Sequence, residues 1–331
     1  MSDKVRVLVM GTGGMGRVHI QNLLQIEDAE IVGLVDPASS AIDKAKADFS
    51  QLREVKVYSE YRRALEEANA QAAVIVTPHS QHFEQGMACL DSGLHVLMEK
   101  PFVSGSANAV EMIARAKLTR RYLAVGYQRH TEGAYQYLRD LLQSGKLGTL
   151  RFVSAYQAQR WLEGTRGSWR QDAELSCGGQ LNDSGSHLLD AVLWTSGLEP
   201  QEVSARIDNR GTPVDIDSAV TVRFRGGAIG SWNIVGSASI GWWEDVSFHG
   251  DDGTALYRNG KLFVAEGDRA ELVEVHPDQF PVASTPDHDF IDLIMGRKKE
   301  AAAPAHCGYL VARLTEAAWQ SNELGGRPVS F

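Results

Sequence analysis

The chain has 331 residues, 43% hydrophobic and 23% charged, a globular composition in a chain too long for one ordinary core. Its net charge of −9 argues against nucleic acid as the main partner, because a phosphate backbone requires a basic surface. No stretch approaches the ~20 apolar residues of a membrane span, no secretory signal precedes the first strand, and the three cysteines (Cys89, Cys177, Cys307) form neither a disulfide framework nor a metal knuckle. A reducing cytoplasm is the expected compartment, and no metal is expected.

Val5 to Met10 reads as a buried parallel strand. Gly11, Gly13 and Gly16 follow at once in a G-x-G-x-x-G pattern, with Gly14 and Met15 between them, and Arg17 to Gln25 continues with helical spacing. Strand, glycine turn and helix in direct succession are the context of a dinucleotide site. There the pyrophosphate rests on free N–H groups at a helix N-terminus. The next strand, Ala29 to Val35, ends at Asp36, where a carboxylate meets the ribose hydroxyls and repels a 2′-phosphate. No Arg follows among residues 37–40. The expected cofactor is therefore NAD rather than NADP.

Helices at 41–49, 61–68, 83–92 and 107–117 alternate with strands at 55–58, 72–76, 95–98 and 123–126. This alternation predicts a Rossmann-type, doubly wound parallel sheet over residues 1–126. Ligands sit beyond the carboxyl ends of such strands, so Thr77-Pro78-His79, Glu99-Lys100-Pro101 and Tyr127-Gln128-Arg129 are expected to line one crevice. His79 and His82, three apart, are read as cofactor-facing rather than metal-binding, since no third ligand is near.

Beyond residue 127 a helix at 135–142 and a strand at 150–157 lead into strand-like runs at 203–207, 219–224, 228–235, 246–249, 255–258, 261–264 and 272–275; helices return at 287–295 and 307–324. Consecutive strands without helices predict an α+β domain, residues 127–331, on a large, mostly antiparallel open sheet. The last helix is free to pack back on the first domain. An open sheet needs cover, so a homodimer or homotetramer through it is expected. Asp183 and His187, four apart, would share one helix face. That pattern suits a base and its orienter, and it suits still better a helix cap and a core histidine.

These pieces together resemble the glucose–fructose oxidoreductase / inositol dehydrogenase / MocA-like family. They are Gly11-x-Gly13-x-x-Gly16, Asp36, Thr77-Pro78-x-x-x-His82, Glu99-Lys100-Pro101, and Trp169-Arg170 leading to Gly178-Gly179-x-Leu181-x-Asp183-x-Gly185-x-His187-x-x-Asp190. They fall in the family's order over both domains. The resemblance implies an oxidoreductase acting on a small sugar, sugar derivative or inositol. His187 would be the general base, with Lys100 on substrate oxygen and nicotinamide ribose, and Asp183 assisting both. Trp169 and Arg170 would reach the cofactor. Cys177 stands where many members have glycine or serine, and Ser184 and Ser186 are ordinary variants. Tyr127, Arg160 and Trp161 are substrate-binding candidates, with Arg129, Tyr156, Trp242 and Trp243 as further pocket candidates. A glycoside-cleaving enzyme that oxidises its sugar transiently would use the same residues. A non-catalytic NAD-sensing regulator would not need the Lys–Asp–His set.

Overall fold

The computed structural model describes residues 4–267 and 271–331. The chain forms two compact units, Met1–Gln128 with Ser284–Tyr309, and Arg129–Ala283 with Leu310–Phe331. Among the described residues no helix is long and apolar enough to cross a membrane.

The first unit carries β1 (Val5–Met10), β2 (Ala29–Val35), β3 (Lys56–Tyr58), β4 (Ala72–Ile75), β5 (His95–Met98) and β6 (Leu123–Val125). They form one parallel sheet in the order β3-β2-β1-β4-β5-β6. Its helices are α1 (Gly14–Leu24), α2 (Ser39–Asp48), α3 (Tyr61–Glu67), α4 (His82–Asp91) and α5 (Ser106–Thr119). Val7, Val9, Val74 and Leu97 are wholly buried with Ile20 and Leu23 of α1. Each such side chain contributes ~1.5–3 kcal/mol when taken from water, which is why the apolar runs become central strands. The strand order reverses between β1 and β4, and at that switch point α/β sheets hold their ligands.

The second unit opens with α6 (Gly133–Gln143) and β7 (Leu150–Ala158). Short helices α7 (Trp161–Gly164) and α8 (Ala173–Ser176) lead to α9 (Gly185–Ser196). The remaining strands are β8 (Pro200–Asp208), β9 (Asp217–Phe224), β10 (Ile229–Val235), β11 (Trp243–Gly250), β12 (Gly253–Arg258), β13 (Lys261–Glu266) and β14 (Val273–Glu274). After α10 (Pro286–Ile294) and α11 (Ala305–Glu323), β15 (Val329–Ser330) closes the sheet. The order is β14-β13-β12-β11-β7-β10-β9-β8-β15. All neighbours are antiparallel except β7 and β10. Alternation puts Val153, Ala155, Trp232, Ile234, Val246 and Phe248 on the buried face. Helix α9 is buried along nearly its whole length, its polar His187 and Asp190 included.

Two local readings of the sequence are corrected. Helix α1 starts at Gly14, not Arg17, so the glycine motif itself forms the first turn. Helix α9 starts at Gly185. Asp183 therefore stands in the turn before it and does not share a helix face with His187.

Candidate functional site

At the switch point the four glycines divide into two kinds. Gly11 has φ +94°, and a Cβ there would meet the Val76 carbonyl oxygen at 2.5 Å; one on Gly16 would meet the Gly11 carbonyl oxygen at 2.1 Å. These two are required by the fold itself. A Cβ on Gly13 or Gly14 would meet nothing within 4 Å, so the protein's own packing does not call for glycine there. Open backbone at the start of α1, with no side-chain cap and no acid in its first turn, is the cradle a pyrophosphate fills. Asp36 is fixed beside it. Its Oδ2 accepts the Thr12 N–H at 2.8 Å and lies 3.0 Å from the Thr12 hydroxyl, and its Oδ1 accepts the Ala38 N–H at 2.9 Å. The residues present thus fit a dinucleotide, with Met15 exposed on the same turn.

The tips of β4 and β5 are tied to each other and to α1. The Thr77 hydroxyl donates to Gln85 at 2.7 Å. His82 begins α4, one residue ahead of the expected start, and its ring is fully buried, with Nε2 2.9 Å from the Thr77 carbonyl and Nδ1 2.9 Å from that of Pro101. Burial holds its pKa below the ordinary value. His79 is buried too, edge-on to His82 with centroids 5.8 Å apart. The expected cofactor-facing histidines are therefore interior and join the Pro78 turn to the Lys100-Pro101 turn, whose peptide bond is cis. Glu99 likewise faces inward. It accepts the Lys100 N–H at 2.9 Å and lies 3.2 Å from His19 Nε2. His19 Nδ1 is 2.8 Å from Asp287, which also accepts from Asn22 at 2.8 Å. Burial opposes charge on His19, but Asp287 and Glu99 outweigh it and raise its pKa to about 10. A charged His19 thus cross-links α1, α10 and the turn carrying Lys100. Nothing in the sequence flags His19, because Asp287 lies 268 residues away. Tyr127, expected at the substrate, is interior at 1% exposure.

In the second unit Asp183 is buried and held by two side chains. One carboxylate oxygen takes the Trp161 indole N–H at 2.9 Å and Arg170 Nε at 3.0 Å. The Arg170 guanidinium in turn lies 4.5 Å from the Trp169 ring centroid. Trp161 and Arg170, expected on substrate and cofactor, therefore act here as holders of Asp183. His187 lies in the first turn of α9 and is 8% exposed. Asp215 was not foreseen. Buried, it accepts the Gly179 N–H at 2.8 Å and the Leu181 N–H at 2.6 Å, with the Trp319 indole at 3.1 Å. It fixes the backbone just before Asp183. Burial raises its pKa, and these hydrogen bonds oppose the rise. Asp190 holds buried His130 at 2.8 Å, and the His130 ring stacks on Trp194 at 3.9 Å.

Arg129 departs from expectation. It is bound to Glu132 at 2.7 Å and Glu244 at 3.0 Å and lies over the Tyr135 ring; Tyr135 also donates to Glu244. It serves the core of the second unit, not the tip of β6. Arg160, Tyr156, Trp242 and Trp243 are exposed.

A parallel sheet with an open glycine turn and an adjacent carboxylate at its switch point, followed by an antiparallel sheet unit, is the arrangement of a dinucleotide-binding two-unit protein. The chain belongs to the GFO/IDH/MocA oxidoreductase family. The NAD-binding Rossmann-fold model of that family matches residues 5–127 and its C-terminal domain model residues 135–256. The chain is 34% identical to inositol 2-dehydrogenase of Streptomyces avermitilis over 60% of this chain, spanning little more than half, 55%, of that protein. It is 28% identical to myo-inositol 2-dehydrogenase of Thermotoga maritima over 77% of this chain and 75% of that one. A levoglucosan dehydrogenase solved with NADH and levoglucosan has the same fold, with TM-score 0.87 at 20% identity over 99% of both chains.

Proposed function

We propose that the protein is an NAD-dependent dehydrogenase oxidising a secondary hydroxyl of a sugar, a sugar derivative or an inositol. The observation that carries this reading is the buried Asp183 carboxylate, fixed by Trp161 and Arg170 four residues before His187. The inositol dehydrogenases among its relatives support the substrate class. His187 takes the hydroxyl proton on an imidazole nitrogen. Lys100 holds the same oxygen and stabilises the negative charge that develops there. Asp183 assists both. A bound nicotinamide would supply the acceptor for the hydride leaving the carbon that bears this oxygen, which becomes a carbonyl. Asp36, placed against Thr12, favours NAD over NADP.

The test is NADH formation against a panel of inositols, aldoses and anhydrosugars. Lys100→Ala and His187→Ala are each expected to lose about a hundredfold or more of kcat with NAD still bound. Normal turnover in both variants would falsify the assignment of roles. Release of an aglycone without accumulating NADH would replace the dehydrogenase by the glycoside-cleaving alternative.

A further inference from the structure

We propose that the first unit carries a second ligand site, remote from its dinucleotide cradle, for a phosphate monoester borne on a planar ring, such as a nucleoside monophosphate. A cavity of about 790 Å³ opens where β5 and β6 begin, bounded by the end of α5 and the first turn of α11. Its volume is in the range of small-molecule pockets. The cradle lies beyond the carboxyl ends of the strands, whereas this cavity lies at their amino ends, so the sheet separates the two.

Three cations line the cavity: Lys117, Arg120 and Arg121. Among the described residues none of the three has a salt bridge. Among the described residues no carboxylate lines the cavity, and Asp91, four residues before His95, is already bound to Arg115 at 2.6 Å. A chain of net charge −9 has here gathered three unneutralised cations at one concavity. Nor do they cap α5, whose last carbonyls are met by backbone N–H groups from Arg120 and Arg121 at 3.2 and 3.0 Å. The N-terminus of α11 adds partial positive charge to the same wall.

The ring is argued from the other lining groups. His95 and Tyr122 stack with centroids 5.0 Å apart and planes 25° from parallel, giving the pocket a flat aromatic wall. His95 Nδ1 accepts the Tyr122 N–H at 2.9 Å, so its proton sits on Nε2, a further donor. Burial, assisted by Arg121, pushes the His95 pKa down to about 4 and keeps that tautomer neutral. His306, stacked on Tyr309 with centroids 5.6 Å apart, supplies a second imidazole at the rim. A bare phosphate would leave most of this volume and the aromatic wall unused.

The test is calorimetric titration of AMP into the full chain held at saturating NAD, so that the adenosine part of the cradle is filled. AMP is expected to bind, with inorganic phosphate weaker and uncharged adenosine weaker still. Arg120→Gln/Arg121→Gln is expected to lose about tenfold or more of AMP affinity while retaining the parent's NAD affinity and melting temperature; both side chains are exposed. AMP affinity unchanged in this variant, or no AMP binding at about millimolar concentration, would overturn the site. Adenosine binding as tightly as AMP would overturn its anion specificity, and phosphate binding as tightly as AMP would overturn recognition of the ring.

Discussion

At the scale of single residues, chemistry and scaffolding are separated by what each side chain touches. Gly16 is glycine because Gly11 backbone lies where its Cβ would be, whereas Gly13 faces open space. Only the second leaves room for a ligand. Asp36 is the residue on which cofactor choice is expected to turn. Its carboxylate is held at the cradle by Thr12 and Ala38, where a 2′-phosphate would meet a negative charge. Asp36→Ala is expected to shift the ratio of kcat/KM values toward NADP by about tenfold or more, as read from initial rates with each cofactor. It should not create a strong NADP enzyme, because residues 37–40 supply no cation. An unchanged ratio would show that the preference is set elsewhere.

At the scale of elements, the turn bearing Lys100 is held by a buried charge network rather than by apolar packing alone. His19 on α1 lies between Glu99 at the end of β5 and Asp287 on α10. Its folded pKa, about 10, exceeds the ordinary 6.5. A raised histidine pKa means the folded state binds its proton more tightly than the unfolded chain does. The added stability is therefore full below pH 6.5 and is lost as pH rises through about 10. The loss is expected to be on the order of a few kcal/mol. Denaturant midpoints followed across that window would reveal it, and His19→Asn should flatten the slope. A variant retaining the parent's full slope would place the effect on other groups. The second unit uses the same device at Asp215, which gathers two backbone N–H groups and an indole to set the segment before Asp183.

At the scale of the whole molecule, the open face of the large sheet asks for a partner. Phe152 on β7 pairs in register with Ile229 on β10, and both remain about 40% exposed or more, with Tyr156 farther along the same face. Apolar side chains aligned on one sheet face are costly to leave in water. We propose that this face joins copies of the chain into a dimer or tetramer. Light scattering is expected to give a multiple of 36.2 kDa, and Phe152→Glu/Ile229→Glu to lower it. A monomeric parent at micromolar concentration would rule the interface out.

The sequence by itself determined the parallel and antiparallel sheets, the glycine cradle and its acid. Each rests on local periodicity or on residues a few positions apart, so chain order alone carries the signal. It also placed most strands of the first sheet within a residue of their ends, because fully apolar runs bounded by turns have one way to be buried. Side-chain direction was decided only by tertiary structure. Glu99 and Tyr127 sit at strand tips as read and His82 starts α4, yet all three are buried, and Arg129 is drawn off by Glu244, 115 residues away. His19 and Asp215 were invisible for the same reason. The partners that give them meaning meet only when distant segments pack, and burial is what makes those few polar contacts strong.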